Sequence, residues 1–104
     1  MIKENVRNKR FKKAEKLLYL YADCSETCYK KLDKAVKSIQ NDKYYPLIEM
    51  RFFKKMTYEE IAESMGLAVK TIYKHKRRLV ERVADALYAD EIIKEILREV
   101  SEDV

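Results

Sequence analysis

The sequence predicts an all-helical fold: a compact bundle containing a helix-turn-helix, with an extra N-terminal helix and a short C-terminal one. Three observations lead there. One Gly and one Pro in 104 residues are too few for an all-β chain, which needs a turn signal about every 8–12 residues. Hydrophobic residues are 47% of the chain, enough for a packed core and too many for global disorder. Apolar residues also recur at helical spacing along most of the length. The chain is the size of one domain, read as 1–104 with three parts: a basic arm and helix at 1–29, a helix-turn-helix core at 30–88, and an acidic helix and tail at 89–104.

The first helix is expected over about Arg10 to Ala22, with Phe11, Ala14, Leu17, Leu18 and Tyr21 on one face and residues 1–9 as a loose basic arm. Asp23 and Glu26 have capping-box spacing, which predicts a second helix to about Gln40 through Cys28, Leu32, Ala35, Val36 and Ile39. Asn41-Asp42 is a turn, and Asp42 is placed to cap a third helix. Pro46 falls in the first turn of that helix, where a missing N–H is least costly. The helix carries Leu47, Ile48, Met50, Phe52 and Phe53 and stops near Lys54-Lys55.

Thr57-Tyr-Glu-Glu60 is a full capping box, with Met56 and Ile61 spaced as its hydrophobic staple. Gly66, the single glycine, sits just past the short helix that follows, where a left-handed residue is wanted. A long helix then runs from about Val69 to Tyr88. Two helices joined by a short Gly-containing turn form a helix-turn-helix. In the long helix Leu79, Val83 and Ala86 fall within about 40° of Ile72. Ile92, Ile93, Ile96, Leu97 and Val100 fall out of that phase, so a break is expected near Ala89-Asp90, with Asp90 capping a last helix. That helix either pairs with a second copy of the chain or packs on the first helix.

Charge is unevenly distributed. The 23 basic and 18 acidic residues give +5. Residues 1–22 hold seven basic and two acidic side chains, residues 68–82 six and one, and residues 83–104 two and seven. A polyanion should therefore meet residues 1–22 and 68–82. On the long helix, Lys70, Lys74, Arg77 and Glu81 form a stripe opposite the core, flanked by Tyr73 and Arg78. An α-helix fits the major groove, and the early residues of a recognition helix reach base edges. Lys70, Tyr73, Lys74 and Arg77 are the candidate readers, with Arg78 and Arg82 on phosphates. The alternative is the solvated face of an ordinary amphipathic helix. Lys76 lies inside the apolar sector and is expected to snorkel to water or phosphate.

The segment Leu32 to Leu87 resembles region 4 of the sigma-70 factors. The matching residues are Met50-Arg-Phe-Phe53, Met56-Thr-Tyr-Glu-Glu-Ile-Ala-Glu63, Met65-Gly-Leu67 and Thr71-Ile72. The resemblance implies a sigma region 4 type of helix-turn-helix whose second helix enters the major groove of promoter DNA. By position it places Val69, Lys70, Tyr73 and Lys74 near bases, and Thr71 joins the DNA-binding set. Ala68 departs from the family, which usually has a Ser cap there. The chain has no room for the region that melts the −10 element, so a complete sigma factor is not expected. Its size, basic N-terminus and the run Lys-His-Lys-Arg-Arg-Leu-Val-Glu-Arg-Val-Ala-Asp-Ala-Leu resemble small phage regulators of the ArpU and RinA kind, which activate late genes.

Other signals carry less. Cys24 and Cys28 share a helix face, but zinc needs four ligands and His75 is the one remaining soft candidate. No metal and no cofactor are expected, and the thiols are read as reduced and buried. A single His without an orienting third group supports no nucleophilic unit, so the chain is not expected to be an enzyme. The aromatic residues mostly fall on apolar faces and are read as core. The longest apolar run, Leu17 to Ala22, is far too short to cross a membrane, and no signal peptide is evident, so a cytoplasmic location is expected. The expected partner is double-stranded DNA, with RNA polymerase or a sigma factor as a second candidate. The competing functions are a protein-interaction module and a DNA-packaging or recombination accessory protein.

Overall fold

Apolar residues spaced three and four apart give each helix one buried stripe. The computed structural model of the chain gathers most of these stripes around a single long helix. The structure describes residues 2–21 and 30–102, with side chains at 6–21 and 30–99. The elements are α1 (Ile2–Tyr21), α2 (Lys30–Lys37), α3 (Tyr45–Ile48), a π-helical turn (Glu49–Phe53), α4 (Tyr58–Met65), α5 (Val69–Leu87) and α6 (Ala89–Glu102). No strand occurs among the described residues, and the fold is an all-α bundle containing a helix-turn-helix.

α5 is the hub and packs against α1, α2, α3 and α4. Its Ile72, Leu79, Val80 and Val83 meet Ala14 and Leu18 from α1, Leu32 and Val36 from α2, and Leu47, Ile48, Phe52 and Ile61 in one fully buried core. Burying each Leu, Ile or Phe contributes about 1.5–3 kcal/mol. This cluster therefore fixes the helix whose other face is exposed.

Several expectations need correction. The segment expected as a loose basic arm is helical from Ile2, where α1 begins. Asp42 does not cap α3 in the usual way: its Oδ1 accepts from the Tyr44 N–H at 2.9 Å, closing the turn, and the N-cap position falls to Tyr44. The third helix is not regular. After Ile48 it widens, with the Lys54 N–H donating to the Glu49 carbonyl at 2.9 Å. This i to i+5 bond marks a π turn. Lys55 then takes a left-handed conformation at φ 56, and the chain turns into α4.

The α4 signals behave as read. The Thr57 hydroxyl accepts from the Glu60 N–H at 3.2 Å, and Glu60 Oε1 accepts from the Thr57 N–H at 3.0 Å. Gly66 ends the helix at φ 67, and the Leu67 N–H closes the turn on the Ala62 carbonyl at 3.0 Å. The break between α5 and α6 falls at Tyr88, so Asp90 sits in the first turn of α6 rather than capping it. Of the α6 apolar residues with described side chains, Ile92 is half-buried, while Ile93, Ile96 and Leu97 are more than half exposed. Cys24, Cys28 and the proposed cap at Asp23 and Glu26 lie outside the described residues.

Candidate nucleic-acid interface

The capping box and Gly66 set where α4 ends and α5 begins, and the buried stripe of α5 sets which side faces out. The outward side carries Lys70, Tyr73, Lys74 and Arg77, all exposed. Val69 and Thr71 are half-buried at the start of the helix. Ala68 provides no side-chain cap, and its carbonyl accepts from the Thr71 and Ile72 N–H groups instead.

Tyr73 is held from behind. Its ring lies 4.1 Å from that of Tyr58, and the Arg51 guanidinium sits 4.1 Å from the other ring. Arg51 Nη1 donates to the Met56 carbonyl at 2.9 Å. The π turn, the first residue of α4 and the exposed face of α5 are thus linked through a guanidinium and two rings. Such contacts contribute on the order of 1 kcal/mol each. They also limit the rotamers open to Tyr73. Arg51 and Tyr58 were not legible as site residues, because nothing in their spacing predicts the π turn that brings them together.

The two cations assigned to phosphates are engaged elsewhere. Arg78 donates to both Asp42 oxygens, at 2.8 and 3.0 Å, and Arg82 Nη1 approaches Asp42 Oδ2 at 3.3 Å. The Arg78 hydrogen bond, the Tyr44 N–H and the guanidinium charges hold the Asp42 carboxyl well below the usual carboxylate range, against the desolvation that raises it. His75 stacks on Tyr44 with centroids 3.7 Å apart. Burial, then the charges of Arg78 and Lys74, push its pKa down.

Lys76 is also corrected. It does not snorkel outward; it is 9% exposed and donates to Glu15 Oε2 of α1 at 2.8 Å. Burial alone would lower its pKa, but the Glu15 carboxylate more than offsets this, with help from Tyr58, and the net shift is upward. Arg77 remains exposed, loosely paired with Glu81 at 3.4 Å.

A short helix, a glycine turn and a long helix with a cationic outer face make up this region. Residues 47–83 match the sigma-70, region 4 family. The match runs from α3 through most of α5, a minority of the chain, and points to a DNA-binding, transcription-related function. No curated protein and no solved structure matches the chain. No described helix is long and apolar enough to cross a membrane.

Proposed function

We propose that the chain is a sequence-specific double-stranded DNA-binding regulator of transcription, with the first turns of α5 in the major groove. The observation that carries this reading is the exposed set Lys70, Tyr73, Lys74 and Arg77 on the second helix of the helix-turn-helix, within its first nine residues. Lys and Arg can take guanine O6 and N7, and Tyr73 can meet a thymine methyl or a phosphate. Val69 and Thr71 approach the duplex at the helix start. Arg78 and Arg82 are supporting residues in this reading, because Asp42 already holds them. The protein is not an enzyme, and it acts without metal or cofactor.

The resemblance of its basic segments to the ArpU and RinA kind supports a phage or prophage late-gene activator working in the cytoplasm. Such a protein would sit beside a promoter and contact RNA polymerase.

The test is recovery of fragmented source DNA on the purified protein at physiological salt, followed by sequencing, with Arg77→Ala as control. A few enriched sites, lost in the control, are the expected result. Even recovery across the genome overturns sequence specificity.

A second reading, a module that binds polymerase or a sigma factor, is favoured by one observation. The α6 residues Ile93, Ile96 and Leu97 are exposed together, and they also suit a homodimer. A polymerase pull-down sensitive to Leu97→Asp but not to Arg77→Ala would select the module. Sedimentation as a monomer at tens of micromolar would remove the dimer.

A further inference from the structure

We propose that α1 is a second DNA-binding element, whose lysines Lys9, Lys12 and Lys16 contact the phosphate backbone beside the groove that α5 enters. The proposal rests on the DNA-binding reading above. α1 lies antiparallel along α5: Arg7 pairs with Glu81 at 3.6 Å, and further along Glu15 pairs with Lys76 at 2.8 Å. Between them runs a groove of about 330 Å³, lined by Arg7, Asn8 and Phe11 from α1 and by Tyr73, Arg77 and Glu81 from α5. α1 is therefore the immediate flank of the candidate readers.

Helical phase places the lysines. From the buried stripe of Ala14 and Leu18, the turn toward this groove passes Glu15 and Asn8 and then reaches Lys12, Lys16 and Lys9 in order. All three are exposed, and none has an acidic partner among the described residues. Of the other described cations of this stretch, Arg7 is held by Glu81 and Arg10 by Glu91 and Glu95, while Lys13 falls by phase on the side of α1 away from this groove. Glu15 is neutralised by Lys76. The row spans about 10 Å along the helix, close to the axial rise of three nucleotides of one strand.

The two flanks of α5 differ in charge. On the α2–α3 side, Arg78 and Arg82 share the single Asp42 carboxylate, which offsets one of their two charges. On the α1 side the lysines are uncompensated. A polyanion against α5 is attracted to the second flank.

The experiment is the salt dependence of binding to duplex fragments recovered on the wild-type protein, compared with K9Q/K12Q/K16Q. Each lost phosphate contact removes about 0.9 from the slope of log K against log salt, so a slope shallower by roughly 2.7 is expected, with the ranking of sequences unchanged. K9R/K12R/K16R should restore the wild-type slope. The matched control K30Q/K94Q/R98Q, at exposed positions of α2 and α6, should keep it. A triple Gln variant with the wild-type slope overturns the proposal, as does a control that falls equally. If the wild-type protein binds no duplex, the DNA-binding reading fails and takes this proposal with it.

Discussion

Arg78 and Asp42 are joined by a two-pronged ion pair, Nη1 to Oδ2 at 2.8 Å and Nη2 to Oδ1 at 3.0 Å, that fastens the turn before α3 to the middle of α5. The carboxylate also accepts from the Tyr44 N–H, and Tyr44 stacks on His75 one turn before Arg78. A bidentate pair of this kind sets orientation as well as energy.

Asp42→Asn should therefore destabilise the fold by on the order of 2 kcal/mol, since it removes a charged acceptor from two guanidinium groups. Freed of Asp42, Arg78 and Arg82 should raise binding to unrelated duplexes at low salt. Thermal melting and a non-specific competitor titration would check both. The carboxyl is also depressed in the folded state, so its contribution is complete above the unfolded pKa near 4 and lost as pH falls below it. Acid unfolding in the wild type should be steeper below about pH 4 than in the Asn variant.

His75 gives a second, separate pH response. The Arg78 Nε–H and Nη2–H approach its Nδ1 at 3.4 and 3.3 Å, and since guanidinium groups only donate, Nδ1 must be unprotonated. With the folded pKa pushed down, the unfolded chain takes up the proton first. Stability should be level above about pH 6.5, the unmodified value, and decline as pH falls below it. His75→Phe should remove that decline, read by denaturant midpoints between pH 5 and 8.

Glu81 stands between Arg77 and Arg7, at 3.4 and 3.6 Å, and presents a carboxylate on the face assigned to DNA. Glu81→Gln should tighten duplex binding and steepen its salt dependence, while narrowing the gap between specific and unrelated sequences. Unchanged affinity in a filter-binding titration would mean that Glu81 lies outside the contact.

Gly66 adopts φ 67, and a Cβ placed there meets nothing within 4 Å. Gly66→Ala should thus cost about 1–2 kcal/mol from backbone strain, without a clash. Thr57→Ala should cost about 1 kcal/mol through the lost cap. Chemical denaturation of the two variants and their combination would measure both; the sites bound the same short helix, so the combination tests whether the costs add.

The elements that the sequence predicts well are those with local chemistry. The Thr57–Glu60 box, Gly66 and the apolar phase of Ile72, Leu79 and Val83 each depend on neighbours within a turn or two, and each is found as read, whereas Ala86, placed on the same stripe, is exposed. Long-range pairing was not legible. Lys76 finds Glu15 and Arg78 finds Asp42 across long stretches of chain, and helical phase carries no information on which helix lies opposite. The π turn was missed for a related reason: Glu49–Phe53 has an ordinary helical composition, and the extra residue shows only in its hydrogen bonding. For Tyr73, phase indicated exposure correctly, but not the support from Tyr58 and Arg51.

The part-buried Lys76–Glu15 pair fixes how α1 is aligned along α5. Apolar stripes on two helices can slip past one another by a turn, about 5.4 Å, and still bury similar area. Here a slip of one turn would put Phe11 or Tyr19 of α1 at the level of the ammonium and leave it largely covered without its carboxylate, which disfavours the slipped register. Oily surface thus draws α1 onto α5, and one charge pair selects a single register from those that oil alone would accept.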